Sequence, residues 1–229
     1  MEAFVVDLDS RENQSMLKPS TPPFSNQAYQ AYQVNEAAEK IHELIKNARY
    51  SNDNIVLNHN EIKEAFFSPF KPQLKNAQVF LSHSHADRNK ALEVKDYLEN
   101  QTERKVFIDS LFWDYKDDVL NKLAKHDDIS KIKDAFTLIL RESLQDMIEK
   151  CPYFVFLQSK NSVSNQGLSR ITYSAWIYEE LKIAHSISTI SESHLIPMME
   201  SMQVFHDISP FLKSFETITL NELSQQINS

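Results

Sequence analysis

Three short runs of apolar and aromatic residues, Val79–Leu81, Val106–Ile108 and Tyr153–Leu157, alternate with stretches whose apolar residues recur every three or four positions. Short continuous apolar runs are the form taken by strands buried on both faces. Ala91, Val94 and Leu98 mark a helix between the first two runs. A long stripe through Ile132, Ala135, Phe136, Ile139, Leu140, Leu144, Met147 and Ile148 marks another between the second and third. Strands that run the same way need a crossover between them, and a helix is the usual one. The alternation therefore predicts an α/β fold, a parallel sheet with helices on both faces. A helix around Trp176, a fourth strand around Leu195–Met198 and a last helix through Leu220–Ile227 continue the pattern.

Residues 1–75 read differently, as a helical N-terminal extension preceding an α/β domain over 76–229. Lys18-Pro19-Ser20-Thr21-Pro22-Pro23-Phe24 predicts an extended, polyproline-like segment. Val34, Ala37, Ala38, Ile41, Leu44, Ile45 and Ala48 recur at helical spacing. A shorter helix over Ile62 to Phe67 is expected to stop before Pro69 and Pro72. Nothing in this part carries chemistry.

Charge and residue usage remove several classes of function. Thirty-two acidic against 24 basic residues give a net charge of −8, with no local Lys/Arg run, so neither nucleic acid nor an anionic membrane is expected as a partner. Cys151 is the one cysteine, which excludes an intrachain disulfide and a cysteine-based zinc site. It ends an apolar stripe and reads as a buried structural thiol. The start Met1-Glu2-Ala3-Phe4 lacks the pattern of a signal peptide, and no apolar run approaches the ~18 residues of a membrane span. A cytoplasmic protein is expected. The single glycine, Gly167, excludes the glycine-rich phosphate loops, which need several glycines for backbone amides to approach the phosphates.

In open parallel sheets ligands bind beyond the carboxyl ends of the strands. Those ends are Ser82-His83-Ser84, Asp109-Ser110 and Gln158-Ser159, and the Trp176 helix should open at the same edge. On that helix Glu180 lies four residues after Trp176, and residues i and i+4 share a helix face. His83-Ser84-His85-Ala86-Asp87 also fits a His-x-His-x-Asp pattern, in which a strand-ending turn offers imidazoles and a carboxylate to zinc. Against a zinc hydrolase at His83, His85 and Asp87 stand Arg88, where that pattern continues with a sixth-position histidine, and the lack of later histidines in a ligand setting. The alternative is that the imidazoles cap the following helix and line its entrance.

Taken in order, Val79-Phe80-Leu81-Ser82-His83-Ser84-x-x-Asp87, Val106-Phe107-Ile108-Asp109, Phe154-Val155-Phe156-Leu157-Gln158-Ser159 and Ser174-x-Trp176-x-x-x-Glu180-Leu181 resemble the Toll/interleukin-1 receptor (TIR) domain. The likeness is greatest to bacterial members whose first strand ends in Ser-His-Ser. It runs from about Ala77 to the C-terminus and implies a flavodoxin-like sheet.

It also implies one of two activities. Some TIR domains cleave NAD+ at the nicotinamide–ribose bond, as NAD+ nucleosidases or ADP-ribosyl cyclases; others are non-catalytic protein-interaction scaffolds. The glutamate four residues after the tryptophan separates them, here Glu180 as the catalytic residue, with Glu179 the competing neighbour. The resemblance places Ser82, His83 and Ser84 against the ribose or phosphates and Trp176 as a wall of the ribose site. Ser159 joins them as a further substrate contact at the strand ends. Asp109 either joins the site or caps the turn after its strand. The segment Ser110–Asp118 corresponds to a family loop through which copies self-associate and complete a neighbour's pocket, Trp113 among its contact residues with Phe112 and Tyr115. The same aromatics could instead fold back on the domain. No cofactor and no metal are implied, NAD+ being the substrate. The setting implied is bacterial anti-phage defence, with a separate effector responding to the nucleotide product.

Overall fold

The computed structural model describes residues 1–18, 24–51, 54–68, 76–126, 133–166, 168–188 and 205–229, without the side chains of 24–33, 49–51, 54–56, 111–114, 133–135 and 166. The expected fourth strand at Leu195–Met198 and most of the expected extended segment Lys18–Phe24 lie outside these residues. Two compact units are present. The first comprises Met1–Ser20, Ala77–Ser110 and Leu144–Ser229, and the second Thr21–Asn76 and Leu111–Ser143.

The first unit is α/β. Its main sheet has five strands, β1 (Glu2–Asp7), β4 (Ala77–Ser82), β5 (Lys105–Ile108), β6 (Tyr153–Gln158) and β10 (Glu216–Thr217), in the order β10-β1-β6-β4-β5. All four pairings are parallel. β7 (Ser164–Gln166), β8 (Ser169–Thr172) and β9 (His206–Asp207) form a small antiparallel sheet. The three runs read as buried strands are β4, β5 and β6. Flanking them are α1 (Arg11–Met16), α4 (Arg88–Thr102), α7 (Ala175–Ser188), α8 (Ser209–Ser214) and α9 (Leu220–Asn228), together with the start of α5 (Asp109–Leu123) and the end of α6 (Lys133–Lys150).

Because strand side chains alternate, the register sorts the core into two faces. On one, Phe80 stands between Phe107 and Phe154, with ring centroids 5.7 Å away in both cases, and Phe215 covers Phe154 at 5.9 Å. On the other, Leu81, Val155 and Phe4 are register partners, and all three are buried. Ser82, Phe156 and Val5 form the next row of the phenylalanine face, the last in which β4 takes part.

The N-terminal strand is the principal departure from expectation. Glu2–Asp7 pairs along its whole length with Tyr153–Gln158, and Phe4 and Val5 pair with Glu216 and Thr217. A boundary after residue 75 would divide this strand from both its neighbours. The physical reason is plain in Phe4, Val5 and Val6, each at most 2% exposed: an apolar, partly β-branched run needs a sheet interior. β5-β4-β6 follows the 2-1-3 arrangement of flavodoxin-like sheets. β1 then occupies the position that a strand after β6 would take.

The second unit holds α2 (Phe24–Lys46), the antiparallel pair β2 (Arg49–Ser51) and β3 (Asn54–Val56), α3 (His59–Phe67), and the adjoining parts of α5 and α6. The helices expected over 34–48 and 62–67 are therefore present, both beginning earlier than expected and the first ending at Lys46. Phe66 is its centre, edge-on to Phe67, Tyr115 and Phe136 at 5.0, 5.1 and 5.7 Å. The segment Ser110–Asp118, expected as an association loop, is helical within α5. Tyr115 is fully buried, and its hydroxyl donates to the Phe66 carbonyl at 2.8 Å. As a core residue it is not a contact for a neighbouring copy. The side chains of Phe112 and Trp113 lie outside the described residues. Among the described residues, no helix is long and apolar enough to cross a membrane.

Candidate active site

The carboxyl edge of the first unit's sheet carries a concentration of buried polar side chains. Ser82, His83, Asp109, Ser110, Ser159 and Glu180 are each at most 4% exposed. Sequence order scatters them, and the parallel sheet gathers them, because β4 and β5 both end where α7 begins its second turn.

Glu180 is fully buried on the inner face of α7, along with Ile177, Leu181 and Ala184. Its neighbour Glu179 is half-buried. The Ser82 hydroxyl donates to Glu180 Oε2 at 2.5 Å. From the β5–α5 junction the Asp109 carboxyl comes within hydrogen-bonding reach of Glu180. Burial pushes the Glu180 carboxyl well above the ordinary carboxylate range. The adjacent Asp109 charge adds to the rise, and the Ser82 hydrogen bond opposes it. Two carboxyl groups this close cannot both be anions at low cost in a dry site.

His83 meets Asp109 from the β4 side. Its Nε2 lies 3.1 Å from Asp109 Oδ1, an ion-pair distance without the alignment of a hydrogen bond. Its Nδ1 lies 2.6 Å from the Ser84 carbonyl. A carbonyl can only accept, so the Nδ1 proton is located and Nε2 is the nitrogen turned to the carboxylate. Asp109 thus joins the site, its side chain touching both Glu180 and His83.

Ser159 is engaged elsewhere. Its hydroxyl donates to Asp87 Oδ2 at 2.5 Å and accepts from the Asn161 and Ser162 amides at 3.0 and 3.3 Å. The other Asp87 oxygen accepts from Asn161 Nδ2 at 2.8 Å. This knot ties the turn after β4 to the turn after β6. Its hydroxyl aims at that turn and not at Glu180. Ser84 is half-buried and contributes its carbonyl, which also accepts from the Asp87 amide at 2.8 Å. Trp176 is half-buried one turn before Glu180.

His83, His85 and Asp87 do not converge. His83 faces Asp109, His85 is exposed, and Asp87 is held by Ser159 and Asn161. Among the described residues no group of three or more His, Cys, Asp or Glu is placed to hold a metal ion. Neither imidazole caps a helix: Ser84 and Asp87 occupy the N-cap positions there, without side-chain caps.

Sequence reasoning missed the contribution of β1 to this edge. Asp9, two residues past the strand, accepts from the Lys160 amide at 2.9 Å and from Lys90 Nζ at 3.2 Å. The Lys160 amide is the main reason its carboxyl is held below the usual range. The signal was available in Phe4-Val5-Val6-Asp7, an apolar run ending in an acid just as Val106-Phe107-Ile108-Asp109 does. Comparison with family models, with curated proteins and with solved structures found no match to the chain.

Proposed function

We propose that the protein is a TIR-type NAD+ nucleosidase or ADP-ribosyl cyclase, with Glu180 as its catalytic carboxylate. The observation that carries this reading is the Ser82–Glu180 hydrogen bond at 2.5 Å. It joins the Ser-His-Ser turn and the Trp-x-x-x-Glu helix, the two motifs that suggest the activity, at the edge where parallel sheets bind ligands. In the reaction, the electron pair of the nicotinamide–ribose bond leaves with the ring nitrogen. Nicotinamide departs neutral and needs no acid, while the ribose passes through an oxocarbenium-like state. An anionic Glu180 would stabilise the positive anomeric carbon and bind the ribose hydroxyls. Water would then give ADP-ribose and a proton; an internal nucleophile would give a cyclic product. Ser82, His83 and Ser84 would supply polar contacts and Trp176 a wall. The reaction requires Glu180 to be uncovered, since it is 0% exposed in this form. Self-association of copies, a cytoplasmic setting and an effector responding to the product, as in anti-phage defence, belong to the same proposal.

That burial favours a second reading, a non-catalytic TIR scaffold in which Ser82, Glu180 and Asp109 are structural. Purified protein incubated with NAD+, with products identified by mass spectrometry, separates the two. On the enzymatic reading Glu180→Gln lowers the rate by about 10²–10³, or about 3–4 kcal/mol, and Glu179→Gln far less. A wild-type protein that leaves NAD+ intact when assembled is a scaffold. Cleavage by Glu180→Gln at the wild-type rate removes Glu180 from the mechanism.

A further inference from the structure

We infer that Ser82, Glu180, Asp109 and His83 form one buried proton-sharing chain, in which the His83–Asp109 ion pair holds Glu180 as the neutral acid until its contact with Asp109 is broken. The inference rests on the reading of Glu180 as the working carboxylate and adds what keeps it idle.

The geometry leaves few ways to arrange the protons. The Nδ1 proton of His83 goes to the Ser84 carbonyl at 2.6 Å. Its Nε2 then faces a carboxylate oxygen at 3.1 Å, with the imidazole wholly buried and the Asp109 side chain 6% exposed. Two lone pairs at that distance in a dry site repel, and a proton on Nε2 turns the contact into an ion pair. Asp109, as the anion of that pair, can accept at its carboxyl but cannot donate. The hydrogen-bonding contact between Asp109 and Glu180 therefore takes its proton from Glu180. Ser82 supplies the other partner, donating to Glu180 Oε2. Among the described residues, the polar groups that face Glu180 are thus the Ser82 hydroxyl from the end of β4 and the Asp109 carboxyl from the β5–α5 junction. His83 acts through Asp109.

The resulting cluster is one imidazolium, one carboxylate and one carboxylic acid, with no net charge. That is the arrangement a fully buried site tolerates best, since an ion taken out of water without a partner is strongly disfavoured. It is also inactive, because a neutral acid cannot stabilise an oxocarbenium. Moving α7 away from Asp109 would expose Glu180, release its proton to water and create the carboxylate. His83 and Asp109 are positioning residues in this scheme.

The test does not depend on catalysis. Infrared spectra of the full chain at neutral pH should contain the carbonyl band of a buried carboxylic acid, absent in Glu180→Gln. The pH at which the band is lost should move in opposite directions in two variants. Asp109→Asn removes the neighbouring anion and lowers it by about tenfold or more in proton concentration. His83→Gln leaves Asp109 uncompensated and raises it. A purely structural role would not give opposite signs. A wild-type protein without the band overturns the proposal, as do two variants that shift it together or not at all. Should either variant fail to fold, nitrogen-15 spectra of histidine-labelled wild type carry the test. Where the buried-acid band is present, His83 Nε2 should carry a directly bonded proton, and an unprotonated Nε2 beside that band overturns the proposal. Protein that holds the band but leaves NAD+ intact retires the enzymatic reading and, with it, the idle-carboxylate role, while the shared-proton arrangement itself stands.

Discussion

Asn13 links the two ends of the chain. It is 2% exposed; its amide donates to the Asp7 carbonyl at 2.8 Å, and its side-chain oxygen accepts from the Leu220 amide at 2.8 Å. Asn13→Ala would strand both backbone groups, and we expect it to lower stability by about 2–4 kcal/mol, read as a shift in the urea midpoint. Glu180 offers a second test at this scale. Its carboxyl is raised in the folded protein, so it binds a proton that the unfolded chain has already released at neutral pH. Its stabilising effect is full below the ordinary carboxylate range and is lost as pH rises through the raised value. Glu180→Gln should abolish that decline, being more stable than wild type at pH 8 and losing its advantage by pH 5. Equal pH slopes for the two proteins would count against the raised value. Helix spacing alone leaves Glu179 and Glu180 both beside Trp176; the family resemblance favours Glu180, and Glu180 is the one of the two that the fold buries completely. The His83–Asp109 contact was not legible, because a pairing between two strand ends follows from sheet order and leaves no periodic trace in the sequence.

At the level of elements, the buried strands were readable as short continuous apolar runs and their crossover helices by the three-to-four-residue period of their apolar residues. Strand β1 was not, since Phe4-Val5-Val6 is a single short run next to a stretch that reads as a helical extension. The family resemblance places a loop at Ser110–Asp118, where the structure has the first part of helix α5. Yet Tyr115, Val119 and Leu123, all buried, recur every four residues, a helical signature hidden by the family resemblance. The end of α4 carries its own test. Glu103 takes φ 54° in the left-handed region and closes the helix through its amide to the Glu99 carbonyl. In a chain with a single glycine, a side chain occupies the position where glycine is usual. Glu103→Gly should raise stability by roughly 0.5–1 kcal/mol, the relief of left-handed strain exceeding the added chain entropy. Thermal or urea unfolding of the two proteins decides it.

The sheet-bearing unit is assembled from three separated pieces of chain, of which Met1–Ser20 is the shortest. A fragment spanning 76–229 would lose the strand between β6 and β10, leaving β10 without a neighbour and β6 with an open edge. We expect that fragment to be insoluble or unfolded, while the full chain melts cooperatively; a well-dispersed NMR spectrum from the fragment would show that β1 is dispensable. This organisation also has a consequence for biosynthesis. β1 emerges from the ribosome well before either neighbour, and β6 follows only after about 150 residues, a wait of roughly 10–30 s at ordinary elongation rates. During it a Phe-Val-Val segment built for a sheet interior must remain unpaired. Glu2 on one side and Asp7 and Asp9 on the other flank it with negative charge, the device by which nascent chains keep an adhesive segment from finding the wrong partner.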